Sequence, residues 1–153
     1  MPAKIGAKAP AFKMDTDSGQ VSLKDLKGKA VVLYFYPKDD TSGCTKEACD
    51  FRDNLPNFAK SKALVIGVSK DSVESHKKFK TKHKLTFTLA SDEDGKVCEA
   101  YGVWKEKSMY GRKYMGIERS TFVIDGAGVL RAEWRKVKVP GHADEVLAAI
   151  KGL

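Results

Sequence analysis

The sequence predicts an α/β domain with a central mixed sheet flanked by helices, and three observations carry that prediction. Two short runs of apolar and β-branched residues, 30–36 and 64–69, are uniform enough for strands buried on both faces. Segments with a helical period follow each run, one from about Cys44 and one over 72–83, which is the alternation of βαβ units. Further along, strand-like segments at 121–124 and 129–135 flank Asp125-Gly126-Ala127-Gly128, a strong hairpin signal.

The remaining elements follow in order. Residues 12–14 and 20–23 flank a turn-forming Asp15-Thr16-Asp17-Ser18-Gly19 stretch and predict an N-terminal β-hairpin. A short polar connection at 24–28 leads to the strand at 30–36, which Pro37 stops. Asp39, Asp40, Thr41, Ser42 and Gly43 supply turn and capping chemistry. In the helix that follows, Cys44, Ala48, Phe51 and Leu55 share one face. The helix at 72–83 carries Val73, His76, Phe79 and His83 along one stripe, where histidines are expected as structural, partly buried side chains. A short strand at 86–89, a short helix at 95–101, the hairpin and a closing helix at 143–150 complete the chain. With no repeat, linker or low-complexity segment, residues 1–153 read as one domain. Its element order is that of a thioredoxin-like α/β fold, with parallel strands in the βαβ half and an antiparallel edge from the last hairpin.

Bulk properties narrow the function. A chain of 153 residues, 42% hydrophobic and 31% charged, has the composition of a soluble globular protein. No apolar run approaches the roughly 20 residues needed to span a bilayer, so no membrane role is expected. Residues 1–12 lack the apolar core of a secretory signal, which points to the cytoplasm. Net charge is +8, a value at which nucleic-acid binding must be weighed. Yet the lysines are scattered (Lys60, Lys62, Lys77, Lys78, Lys80, Lys82, Lys84) and no binding motif accompanies them. A solvated basic surface, with no nucleic-acid partner, is the better reading. The cysteines Cys44, Cys49 and Cys98 cannot all pair with one another, which argues against a disulfide framework. Neither their spacing nor that of His76, His83 and His142 suits zinc, so no metal is expected. Redox chemistry remains.

Cys44 is the focus of that chemistry. It falls in the first turn of a helix directly after a central strand, where free N–H groups and the helix dipole favour negative charge. A thiol in such a place ionises more readily, and thiolate is the reactive form. The competing reading is a small apolar residue packed under the strand, the usual fate of a free cysteine. The turn chemistry around Cys44, with the Thr41 hydroxyl three residues before it, favours a nucleophile.

Pro37, Thr41 and Cys44 meet the pattern P-x3-T-x2-C, and the segment resembles the active-site signature of peroxiredoxins. YFYPKDDTSGCTKEACDFRD resembles more narrowly the Q-type branch, also called bacterioferritin comigratory protein. Matches extend over nearly the whole chain, through FKMDTDSGQVSLKDLKGKAVVLYFYP, the Ser75-His76 helix, SDEDGKVCEAYGVW and IERSTFVID. Two positions depart from the branch: Ser42 and Thr88 stand where it commonly has proline. The resemblance implies reduction of hydrogen peroxide and organic hydroperoxides with no cofactor, whether metal, haem or flavin. It implies Cys44 as the peroxidatic cysteine and Thr41 as the residue that orients the peroxide. Arg119 would keep the sulfur anionic and stabilise charge as the O–O bond lengthens. Glu47 would hold active-site hydrogen bonds, backbone N–H groups at Gly43 and Cys44 would complete the pocket, and Pro37 would shield it from water. Thioredoxin as reductant and a monomeric state follow by the same analogy. Taken without the resemblance, Arg119 reads better as a surface charge before a strand, and Glu47 reads also as a favourable acid in a first helical turn and Thr41 as an N-cap.

Cys49 meets a geometric constraint of its own. Five residues of α-helix advance about 7.5 Å and turn about 140°, leaving the Cα atoms of Cys44 and Cys49 roughly 8.6 Å apart. A disulfide needs about 4.4–6.8 Å, so the pair cannot bridge while the helix is intact. The Q-type resemblance implies Cys49 as the resolving cysteine, in which case the helix must unwind in each cycle. Cys98 is expected to be a packed thiol. Two other functions compete with peroxide reduction: a thioredoxin-like thiol–disulfide oxidoreductase, and a basic module binding nucleic acid or unfolded protein. The first needs a C-x-x-C pair that this sequence lacks, and neither requires the set Pro37, Thr41, Cys44 and Arg119.

Overall fold

The computed structural model describes residues 3–153. Strands β1 (Lys13–Thr16) and β2 (Gly19–Ser22) form the N-terminal hairpin, followed by a 3₁₀ turn over Leu23–Leu26. Then come β3 (Ala30–Phe35), α1 (Ser42–Asp53), α2 (Leu55–Lys60), β4 (Ala63–Ser69), α3 (Val73–His83), β5 (Thr88–Ser91) and α4 (Lys96–Ala100). A second hairpin, β6 (Trp104–Met109) and β7 (Arg112–Ile117), precedes β8 (Ser120–Ile124), β9 (Leu130–Trp134) and α5 (His142–Lys151). Seven strands make one sheet in the order β2-β1-β5-β4-β3-β8-β9. β3, β4 and β5 run parallel, and the strands on either side pair antiparallel. The mixed sheet with helices on its faces agrees with the fold class expected from the sequence. No helix among the described residues is long and apolar enough to cross a membrane.

Strand parity explains why β3 is apolar throughout. Val31, Leu33 and Phe35 enter one core, together with Ile66, Val68, Phe122, Cys98 and Tyr101. Val32, Tyr34 and Tyr36 enter the other, beneath α1, α2, α3 and α5, with Cys44, Phe51, Phe58 and Phe79. A strand covered on both faces has no solvent side to mark with polar residues. One glycine is needed for close approach. Gly67 is the register partner of Tyr34, and a Cβ there would lie 2.8 Å from the Tyr34 Cζ and Oη atoms and 2.9 Å from Leu89 Cδ2. Gly67→Ala is therefore expected to destabilise the protein by about 1–3 kcal/mol through overpacking. Urea unfolding measures this, and an unchanged midpoint would mean that the Tyr34 ring moves aside freely.

The elements differ from the sequence expectations in several places. The helical pattern through Leu55 is two helices, because Pro56 has no N–H to donate to the Arg52 carbonyl and α1 stops at Asp53. Leu55 opens α2 and still packs, partly buried, against the core. The strand expected at 86–89 lies two residues later, where Thr88 pairs with Ile66. The connection at 24–28 holds the 3₁₀ turn. The β6–β7 hairpin was not foreseen from the sequence. It turns through Tyr110 and Gly111, both at positive φ (51° and 78°), the backbone a two-residue hairpin turn demands.

Candidate active site

The loop from Pro37 to Thr41 carries the chain from the end of β3 into α1. Helix α1 begins at Ser42, two residues earlier than the pattern suggested, so Thr41 stands at the N-cap position. Its hydroxyl does not cap the helix. It donates backward to the Lys38 carbonyl at 3.0 Å, which leaves its lone pairs available as acceptors. Thr45 N–H is the first helical amide to find an intrahelical partner, the Thr41 carbonyl at 2.8 Å. The amides of Gly43 and Cys44 lie ahead of it, among the uncommitted donors of a helix start. Cys44 itself is buried, on the α1 face that also buries Glu47, Ala48 and Phe51. Pro37 and Thr41 are exposed.

Arg119 reaches this turn from the segment between β7 and β8. Its Nη2 donates to Cys44 Sγ at 3.2 Å, and its Nη1 donates to Glu47 Oε1 at 2.6 Å. The planar guanidinium thus spans two residues of one helical turn, a geometry that an ammonium does not reproduce. Gly43 makes room for it: a Cβ there would lie 3.3 Å from Arg119 Nη2. Burial works against the charge on Arg119, but Glu47 and the Cys44 sulfur outweigh it and raise its pKa above the usual value. Glu47 is pushed up to about 7, first by burial and against the pull of Arg119. Its Oε2 makes no hydrogen bond with the described residues. Cys44, Glu47 and Arg119 are therefore brought together, with Thr41 at the head of the same helix.

The raised Glu47 pKa has a consequence for stability. The folded protein holds a proton on this carboxyl at pH values where the unfolded chain, at about 4.3, has released it. Stability tied to the neutral form is present at low pH and is lost as pH rises through about 7, by at most about 3 kcal/mol. Relative to Glu47→Gln, the wild type is expected to lose stability between about pH 5 and 7. Denaturant midpoints across that range test it; a difference that does not vary with pH would show the carboxyl ionised throughout.

Comparison with known proteins shows which family the chain belongs to. The AhpC/TSA family model matches residues 5–133. A protein named putative peroxiredoxin bcp from Coxiella burnetii is 56% identical over 151 residues, covering 98% of this chain and 100% of the relative. Peroxiredoxin Bcp from Bacillus subtilis is 55% identical over 154 residues, covering 100% of this chain and 98% of its own. This chain is a peroxiredoxin of the AhpC/TSA family. A PrxQ variant from Xylella fastidiosa superposes with a TM-score of 0.93 at 43% identity, covering 99% of this chain and 98% of that one. The bacterioferritin comigratory protein of Xanthomonas campestris, described in connection with alkyl peroxide reduction, gives 0.91 at 46% identity, with 97% and 98% covered. The peroxiredoxin thus falls in the Q-type branch, has the thioredoxin-like fold of those neighbours and is an enzyme of a peroxidase family.

The other cysteines of this peroxiredoxin sit in different surroundings. Cys49 is half-buried on α1, away from the face that carries Cys44, and all three thiols are free. Cys98 is fully buried in the core on the far side of the sheet. Burial pushes its thiol well up, and Asp92 adds to the shift. Among the described residues, no cluster of three His, Cys, Asp or Glu side chains is placed to hold a metal ion.

Several groups lie near the site that the sequence did not assign to it. His142 begins α5 and packs edge-on against Phe51 and Trp134, with its Nε2 at 2.8 Å from Thr121 Oγ1. Burial first, then Arg119, pushes His142 down to about 4, so it stays neutral. Lys107 on β6 lines a surface cleft together with Arg119, and its pKa is lowered by burial and by Arg119. Asp39 lies buried in the loop itself. The periodicity of β6 carries no apolar face that would have pointed to Lys107, and nothing near residue 119 points to a cysteine 75 positions earlier.

Proposed function

We propose that this peroxiredoxin reduces hydrogen peroxide and organic hydroperoxides through Cys44, with Cys49 as resolving cysteine and thioredoxin as reductant. The observation that carries the reading is the double reach of Arg119, to the Cys44 sulfur and to Glu47. In the first step the Cys44 thiolate attacks one peroxide oxygen. An S–O bond forms and the O–O bond breaks. Its electron pair leaves on the second oxygen, which takes a proton and departs as an alcohol or water. Sulfur is thereby oxidised to the sulfenic acid. Arg119 stabilises charge on the sulfur and on the departing oxygen, and Glu47 holds its guanidinium in place. Thr41 accepts the peroxide O–H with its free lone pairs, and the Gly43 and Cys44 amides face the peroxide oxygens. Pro37 ends β3 and keeps the outer edge of the pocket dry.

In the second step the Cys49 thiol attacks the sulfenic sulfur, the S–S bond forms, and hydroxide leaves as water. Helix α1 is unbroken from Ser42 to Asp53, so its geometry keeps the two Cα atoms about 8.6 Å apart. Resolution must therefore open the helix between them, a local event that need not threaten the sheet. A thioredoxin dithiol then returns both cysteines to thiols and is itself oxidised. All electrons come from thiols, so the cycle calls for no cofactor. By analogy with Q-type relatives we place it in a monomer, and in the reducing cytoplasm.

The test is mass mapping after one equivalent of peroxide. The wild type is expected to yield a Cys44–Cys49 disulfide, with amide exchange raised across 45–53 while β4 stays protected. Cys49→Ser should stop at sulfenic acid on Cys44, and Cys98→Ser should turn over normally with thioredoxin. A Cys44–Cys98 bridge, or a disulfide form that retains the whole of α1, would overturn this cycle.

A further inference from the structure

The loop that delivers Thr41 to the head of α1 is held largely by α3 and the residues just before it. Its anchor is Asp39, whose carboxylate is buried. The Tyr36 hydroxyl donates to Asp39 Oδ1 at 2.5 Å, and the Ser75 hydroxyl donates to Oδ2 at 2.7 Å. His76 Nδ1 meets the same Oδ2 at 2.7 Å. His76 is fully buried, and its Nε2 lies 3.0 Å from the Ala90 carbonyl on β5. A carbonyl has only lone pairs to offer, so Nε2 is the donor there, and with Nδ1 donating to the Asp39 carboxylate as well the ring is an imidazolium. Each ring nitrogen is thus committed, one to the sheet and one to the loop.

The neighbouring ties are weaker or stand elsewhere. The Asp39 N–H donates to the Asp71 carboxylate at 2.8 Å, which the Ser69 hydroxyl also holds at 2.7 Å. That bond fixes the backbone and not the carboxylate. Asp40, at a left-handed φ of 59°, bonds Lys82 at 2.8 Å and His83 at 2.9 Å. Its carboxylate is exposed, and exposed ion pairs constrain little. The contact of Asp39 with His76 is the desolvated one, and losing His76 leaves the buried carboxylate with its two hydroxyl donors alone and no facing cation.

We propose that His76 is a positioning residue for peroxide attack, acting through Asp39 to fix the loop that sets the Thr41 hydroxyl and the first turn of α1. The inference rests on the reading of Cys44 and Thr41 given above. The role belongs to the oxidation step. Resolution opens α1 beyond Thr45, downstream of every tie the loop makes to α3. Loss of the His76 contact therefore slows Cys44 oxidation and leaves closure of the disulfide alone.

Two substitutions separate the nitrogens. An asparagine amide falls near Nδ1, and a glutamine amide reaches toward Nε2. His76→Asn keeps a donor for Asp39, whereas His76→Gln keeps one for Ala90 and abandons Asp39. Single-turnover stopped flow on the full chain with hydrogen peroxide reads both steps. His76→Gln is expected to slow Cys44 oxidation about tenfold, as a misplacement below an ångström does, with disulfide closure within about twofold of wild type. His76→Asn should stay within about threefold of wild type in both steps. Equal slowing of oxidation in the two variants, or equal slowing of the two steps, would overturn the inference. Should His76→Gln not fold, Tyr36→Phe decides: it removes one donor to Asp39 and is expected to slow oxidation alone, about threefold. An unchanged rate in Tyr36→Phe would then reject the role. If wild-type Cys44 is not oxidised at all, the peroxidase cycle fails. If it is oxidised and His76→Gln matches it, only the positioning role fails.

Discussion

Replacing Cys44 by serine is expected to abolish peroxide turnover while leaving the fold in place. A hydroxyl has nearly the volume of a thiol, so the buried site on α1 is not emptied, and Phe51 and Ala48 keep their packing. The chemistry does not survive. A serine hydroxyl is far less ionised at neutral pH than a thiol and is a much weaker nucleophile toward oxygen. Nor can Cys49 or Cys98 take over. Cys49 lies off the face that meets Arg119, and Cys98 is buried on the opposite side of the sheet with its pKa pushed up. Peroxide consumption with a thioredoxin system should fall to the uncatalysed background, while the circular dichroism spectrum and urea midpoint stay close to wild type. Appreciable turnover in Cys44→Ser would remove Cys44 from the centre of the mechanism.

The parts of the fold that were legible in the sequence are those whose burial is complete. β3 and β4 are apolar on both faces, so a short uniform run bounded by Pro37 and by Ser69 sufficed to find them. The β6–β7 hairpin was not legible because it pairs only with itself and keeps much of its surface in solvent. Arg112, Lys113, Tyr114 and Met115 are all exposed, and a strand without a buried face has no alternation to read. The break at Asn54 was written in Pro56, but the apolar stripe running through Leu55 masked it. In the site, the turn chemistry before Cys44 marked it locally as a candidate nucleophile. Arg119 came only from resemblance, since a contact spanning 75 positions leaves no local trace. The same holds for His76: on α3 its spacing is that of a packing residue, and its bond to Asp39 spans 37 positions.

Arg119→Ala is expected to slow the oxidation of Cys44 by about two to three orders of magnitude, the usual effect of removing one donor aimed at developing negative charge. Two contacts vanish together. The sulfur loses the Nη2 donor at 3.2 Å, and with it the positive charge that would follow the electrons onto the departing oxygen. Glu47 loses its partner at 2.6 Å in a position where its side chain is only 2% exposed. A carboxylate stranded there would face the full cost of desolvation, so it takes up a proton instead, and its titration moves above the value of about 7 that it has beside Arg119. The alanine variant therefore has no cation facing the Cys44 sulfur. Arg119→Lys separates charge from shape. It restores a cation, but a single ammonium cannot hold both Glu47 and the sulfur in one plane, so it is expected to recover only part of the loss, about tenfold. Stopped-flow oxidation by hydrogen peroxide measures all three proteins. If Arg119→Ala reacts at the wild-type rate, the guanidinium that touches Cys44 in the resting enzyme plays no part in breaking the O–O bond.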